Sequence, residues 1–233
     1  MFLALREMAR AKVRFGLLAG ALALLVFLIL FQQSLQNGLI TSFVGAIRTQ
    51  SAPVLVYNVD SQRVIQGSVI TPDQEALVLD TPGVAEVGRI GQGTFTGLPI
   101  VDGVPSDDTF DTTVIGYEAG PDGTGPGAPT TVVKGRLPTS DFEAVVSDAN
   151  IDSGFDIGAT VRLLPGNVDI TIVGLAEQAQ LNATPTLFTT YATHVTAVKA
   201  VNPDAGEPRP NVLGVVPEPG VSAADLATAI NAQ

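Results

Sequence analysis

The chain has 233 residues, no cysteine and a formal net charge of −11 at pH 7. That length supports one large domain or two small ones with a real hydrophobic core, while the missing thiols exclude a disulfide framework and a thiolate metal site. The charge is split, +3 over residues 1–14 and −14 over the remainder, so the bulk of the protein repels phosphate backbones and is not expected to bind nucleic acid.

The first feature in chain order is Phe15–Phe31, seventeen consecutive residues that are all apolar or Gly. As a helix they span roughly 25 Å against a hydrocarbon core of about 30 Å. Arg14 can snorkel at one end, and Leu35 and Leu39 extend the apolar character at the other. Arg6, Arg10, Lys12 and Arg14 precede the run and only Arg48 follows closely. The positive-inside rule therefore puts residues 1–14 in the cytoplasm and the main domain outside. A cleaved signal peptide shares the basic start, but its apolar region is usually about 7–15 residues long. The nearest small-x-small triplet, Val44-Gly45-Ala46, is distant, so an uncleaved anchor is the better fit. Arg6, Arg10 and Arg14 also form a basic stripe, and Phe2, Leu5, Ala9 and Val13 a weaker apolar one; this is either a topology signal or an in-plane helix on anionic lipid. Leu35, Leu39, Phe43 and Ile47, four residues apart and free of Pro, predict that the membrane helix continues as a stalk to about residue 50 and ends before Pro53.

Beyond Pro53 the pattern is α+β. Val54–Val59 reads as a strand. Thr71-Pro72-Asp73-Gln74 is a helix start, with Thr as N-cap, Pro at the first helical position and Gln three residues on; that helix stops near Asp80, before Pro82-Gly83. Strands are expected at Val84 to about Phe95 and at Thr112–Tyr117. The Gly- and Pro-rich stretch Gly120–Pro129 reads as a flexible surface hairpin. Short strands follow at Thr130–Val133, Ala144–Ser147, Thr160–Leu164 and Ile170–Leu175. Thr190 to about Val201 reads as a helix, Asn211–Val216 as a strand, and Ser222 caps a helix to about Asn231. The two ends of the domain repeat a strand–helix order. A split βαβ pair would need one more strand after the second unit, so the chain as read stops short of completing its own sheet.

Sites of chemistry are sparse. There is no G-x-x-x-x-G-K-[ST] loop, which excludes ATP hydrolysis by this chain; Gly120–Gly127 lacks the Lys-Ser/Thr that phosphate binding would need. Asp107, Asp108 and Asp111 form the densest acid cluster, without EF-hand spacing or a partner His or Arg, and read as a solvated loop. His194 is the single histidine, which excludes a His-based metal cluster and leaves only a remote dyad with Ser147 or Ser153. Asn182-Ala183-Thr184 fits a glycosylation tripeptide that a bacterial source makes moot. Leu98–Ile100 and Leu181–Phe188 are either core or a ligand-facing rim. No catalytic, metal or cofactor residue is expected, no substrate residue can be named, and the chain is read as a non-enzyme.

Taken in order, Lys134-Gly135-Arg136-Leu137-Pro138, Glu143-Ala144-Val145-Val146-Ser147, Phe155-Asp156-Ile157-Gly158-Ala159-Thr160-Val161 and Ile170-Thr171-Ile172-Val173-Gly174 follow a basic N-terminus, a membrane helix and a strand–helix–strand. This series resembles the MacB/FtsX-like family of ABC transporter permeases, over the first transmembrane helix and the periplasmic core domain. The resemblance implies a core domain at 53–233, with split βαβ-like parts at about 53–118 and 211–233 and a mainly β insertion at about 130–200. It also implies a separate cytoplasmic ABC ATPase, a second permease copy as partner, and an export or mechanotransmission role in the bacterial plasma membrane. Family members carry three further membrane helices after the outer domain and this sequence has none, so a permease fragment or split subunit is expected. The alternative is a single-pass envelope adaptor or binding module; a secreted hydrolase is the least favoured reading.

Overall fold

The computed structural model describes residues 12–204 and 206–232; the stripe from Phe2 to Arg10 lies outside them. The chain divides into two units, residues 1–41 and 42–233. The helix α1 is Lys12–Arg48, 37 residues and about 55 Å at 1.5 Å per residue. Every residue described from 12 to 40 is exposed, including the stacked Phe27 and Phe31. An apolar surface left bare over this length is what lipid, not water, would cover.

The second unit is the α+β domain expected from its sequence. Its strands are β1 (Val54–Tyr57), β2 (Val84–Val101), β3 (Val104–Pro105), β4 (Phe110–Tyr117), β5 (Val132–Gly135), β6 (Glu143–Ser147), β7 (Thr160–Leu164), β8 (Val168–Ala176), β9 (Thr186–Thr190) and β10 (Val212–Pro217). Three helices accompany them: α2 (Pro72–Leu79), α3 (Tyr191–Val201) and α4 (Ala223–Asn231). Each begins at a residue that satisfies its free amides locally. Thr71 and Gln74 form a reciprocal capping box, Thr190 accepts from the Thr193 amide, and Ser222 accepts from that of Asp225.

Six of the strands close on themselves. The pairings run β2–β4–β9–β6–β8–β7 and return to β2 through Gly97↔Leu163 and its neighbours. β2 can serve two partners on one side because it is 18 residues long: its first half pairs with β10 and its second with β7. Alternation along the strands then sorts side chains into two cores. Val114, Leu187, Ala144 and Val146 fill the barrel interior with Val161, Leu163, Ile170 and Ile172, while Ile115, Phe188 and Val145 face outward into a second cluster. A bulge opposite Ala144/Val145 flips the parity of β8, so that Leu175 also points inward. α3 packs on the barrel through Ala197, and its Ala200 lies against the backbone at Gly166.

β1 and β10 extend the sheet from the first half of β2, in the order β1–β10–β2. One face of this extension carries α2 and α4, whose Val78 and Leu226 pack on Val54, Leu213 and Val215 in a third cluster. On the other face the paired Gly88 and Gly214 leave a trough. A Cβ at Gly214 would lie 2.9 Å from both the Ala52 and Pro126 Cβ atoms.

Candidate functional site

Residues 42–53 meet two loops of the same unit through a series of main-chain bonds. The Ala46 amide donates to Gln180 O at 2.8 Å, the Ser42 carbonyl accepts from the Ala183 amide at 2.8 Å and the Phe43 carbonyl from that of Asn182 at 3.1 Å. The capturing loop, Glu177–Thr184, needs left-handed backbone at Gln178, Asn182 and Ala183 to present these groups. Gly45 admits it: a Cβ there would sit 2.1 Å from the Gln178 carbonyl oxygen. Ala46 is buried with Ala179 and Leu181.

The second loop is Gly120–Thr131. Thr49 O accepts both the amide and the hydroxyl of Thr130 at 2.7 Å, the Ser51 amide donates to Ala128 O at 2.9 Å, and Ser51 Oγ donates to Gly125 O at 2.6 Å. Pro126, Gly127 and Ala128 are buried, and Tyr117 donates its hydroxyl to Gly123 O at 2.8 Å. Burial pushes that phenol well above its ordinary range. The reading of Gly120–Pro129 as a flexible hairpin is therefore corrected. Its glycines are there for close approach: a Cβ at Gly125 would meet Glu118 O at 2.2 Å, and one at Gly127 would meet Ile90 Cδ1 at 2.7 Å. The two loops are themselves joined by Glu177 N–H to Thr131 O. Loop 177–184 is anchored to the barrel by Thr113 and Thr184 and by Gln180 to Asn150.

The residues carrying the family resemblance turn out to be braces. Arg136 donates to both Glu143 oxygens, at 2.7 and 2.5 Å, and the Thr139 and Ser140 amides donate to the same carboxylate. The guanidinium, with these amides, holds Glu143 down to about 2. Gly135 and Gly174 are paired across β5 and β8, where a Cβ on either would meet a main-chain oxygen within 2.3 Å. Gly158 turns the chain at a φ of +90° before β7.

Other sequence candidates are dispersed. His194 is buried against Gly91, Gly93 and Gly116, with Nδ1 unpartnered, and desolvation lowers it to about 4. Ser147 lies one rung past Val146↔Leu187↔Val114, and Gly116 lies two rungs the other way; Ser147 Oγ instead contacts Asp148. The geometry does not assemble a dyad. Asp107, Asp108 and Asp111 are exposed, and among the described residues no group of three potential ligands could hold a metal. Leu181, Leu187 and Phe188 are core; Leu98 and Ile100 are half-buried on β2. A cleft of about 530 Å³ lies among Pro72, Glu75, Arg89, Tyr191 and Pro208, but its Arg89 is already paired with Glu75 at 2.8 Å. Sequence reasoning missed the clamp around residues 42–51. Its one visible sign was Gly45-Ala46, two small residues ending a bulky helix.

No family model and no curated protein matches this chain. Among solved structures, the periplasmic region of MacB from Actinobacillus actinomycetemcomitans superposes with a TM-score of 0.50 at 15% identity, over 79% of this chain and 83% of that one. The second unit has the fold of that periplasmic region. The extracellular domain of the noncanonic ABC-type transporter YknZ from Gram-positive bacteria matches with a TM-score of 0.45 at 13% identity, over 75% and 86% of the two chains. The fold expected from the ordered motif series is thus the one present, and the MacB-type domain here uses those motifs to hold its strands.

Proposed function

We propose that this chain is a permease subunit, or the N-terminal part of one, in an ABC-type export or mechanotransmission system, and that it is not itself an enzyme. The observation that carries this reading is the clamp. α1 is one helix from the apolar run to Arg48, and its last turns are held by main-chain bonds to two loops of a MacB-type domain. A helix end fixed in this way passes displacement to the domain, whereas a flexible tether would absorb it. The basic residues before the span support a cytoplasmic N-terminus and an extracytoplasmic domain in a bacterial plasma membrane. The work would come from a separate cytoplasmic ATPase.

The test is affinity purification of the full chain from membranes of its host, with identification of an ATP-binding-cassette subunit in the complex. A Gly-Pro-Gly insertion after Asn37 should leave that subunit bound but uncouple its ATPase rate from the outer domain. Protease protection that places residues 53–232 on the cytosolic side would overturn the reading. Recovery with envelope proteins and no ATPase would favour the adaptor.

A further inference from the structure

β2 belongs to two bodies in turn. Residues 84–90 pair with β10, in the extension that carries α2 and α4, and residues 90–97 pair with β4 in the barrel. Ile90 alone belongs to both ladders, opposite Val212 on one edge and Tyr117 on the other. One main-chain bond continues past it, from Glu118 N–H to Arg89 O at 3.3 Å. On the β10 edge the Gln92 amide is met by a side chain instead, Asn211 Oδ1 at 2.7 Å. A continued β10 would place Pro210 opposite Gln92, with no amide to donate, and β7 does not join until Thr96. Residues 91–95 are therefore laddered along one edge only. Gly88, Gly91 and Gly93 surround the crossing and Gly116 lies opposite Gly91; glycine in a strand interior weakens it.

The two faces of the crossing differ. On one, Arg89 lies in a cleft of about 530 Å³, with Pro72 and Glu75 of α2 on one wall and Tyr191 and Val195 of α3 on the other. His194 of α3 is seated on the crossing itself, where a Cβ at Gly91 or Gly116 would fall 2.3 Å from its side chain. On the opposite face Ala52 and Pro126 fill the trough over Gly214, and Pro126 also covers Gly88. These residues adjoin the clamp. Ser51 is bonded to Gly125 and Ala128, while Ala46 is bonded to Gln180 in the loop that Thr184 ties to Thr113 of the barrel. Residues 42–52 thus touch both bodies that meet at Ile90.

We infer that β2 bends at Ile90, so that the three-stranded extension turns on the barrel and changes the width of the cleft between α2 and α3. The glycines absorb the change in backbone dihedrals, as small residues at hinges do, and the cleft is the space into which the bend closes. Movement of residues 42–52 against the trough drives it. That drive, though not the hinge, rests on the reading of α1 as a transmitting helix.

The test uses the full chain in nanodiscs, with spin labels on cysteine pairs introduced into this Cys-free sequence. Ala76→Cys with Ala192→Cys reads across the cleft, and Ala192→Cys with Lys134→Cys reads within the barrel; all three positions are exposed. Exchanging short-chain for long-chain phosphatidylcholine alters the hydrophobic mismatch of the apolar span and so moves α1. The cleft pair should shift by more than about 2 Å between the two lipids while the barrel pair stays fixed. A Gly-Pro-Gly insertion after Asn37 should remove the shift. His194→Ala, which empties the seat on Gly91 and Gly116, should broaden the cleft distances alone. A cleft pair as narrow as the barrel pair, at one distance in both lipids and in His194→Ala, would overturn the hinge. A cleft pair that is broad but identical in the two lipids would uphold the hinge and sink the transmitting helix.

Discussion

Replacing Gly45 by Ala distinguishes a clamped helix end from an ordinary one by the sign of the stability change. In an exposed helix interior, Gly→Ala stabilises by roughly 0.5–1 kcal/mol, because Gly loses more backbone entropy on folding. Here the new Cβ would fall 2.1 Å from the Gln178 carbonyl oxygen, more than 1 Å inside ordinary contact, and backbone on both sides has to give. Moving loop 177–184 away breaks the bonds from Ala46 to Gln180, from Asn182 to Phe43 and from Ala183 to Ser42. At roughly 1 kcal/mol net for each, that is about 3 kcal/mol. The helical gain offsets about 1, leaving a net loss of about 2 kcal/mol. Denaturant titration of the detergent-solubilised chain would measure it, and hydrogen exchange should show the amides of Ala46, Asn182 and Ala183 opening together. A Gly45→Ala protein more stable than wild type, with those amides still protected, would refute the clamp.

Three further outcomes follow from buried or braced groups. His194 is lowered to about 4 by desolvation, so the unfolded chain binds its proton first as pH falls. Stability should be full above about 6.5 and decline by roughly 3 kcal/mol down to pH 4; His194→Asn should flatten that part of a pH series of melts, and an unchanged slope would count against the burial argument. Glu143 behaves oppositely in origin, because its partners favour the charged form. Its contribution is complete above about 4.5 and lost as pH falls through about 2. Glu143→Gln should therefore cost about 1 kcal/mol at pH 7, with the difference from wild type shrinking in acid denaturation curves. Gly214→Ala puts a methyl against Ala52 and Pro126 and should cost about 1–3 kcal/mol, with faster exchange at the Ser51 and Thr130 amides.

What could be read from sequence was what short stretches decide alone. The helix starts at Thr71 and Ser222 were legible because a cap and its amide lie within three residues of one another. The strand Thr186–Thr190 was not, because Leu187 and Phe188 are buried on opposite faces, so the stretch lacks the polar alternation that marks a half-exposed strand. Barrel closure was equally invisible. It depends on Thr160–Leu164 finding the second half of a strand more than sixty residues earlier, and nothing local encodes that register. Gly120–Pro129 misled for a physical reason: glycine permits flexibility and close packing equally, and only the neighbours at Glu118, Ile90 and Tyr117 show which is in use.

The same neighbours explain why the clamp is made of backbone. A single covalent crossing at Thr49–Pro53 would carry tension and little else. Carbonyls of Ser42, Phe43 and Thr49 are instead held by amides from two loops, one following β4 and the other joining β8 to β9. Shear or torsion on the helix end then loads several strands of a closed barrel, not one. Side-chain pairs could supply comparable energy, but exposed ion pairs yield by rotating about flexible side-chain bonds. Main-chain bonds seated against Gly45 and the buried Ala46 leave no such slack. A joint that must transmit small displacements favours that construction, and one that only tethers the domain has no need of it.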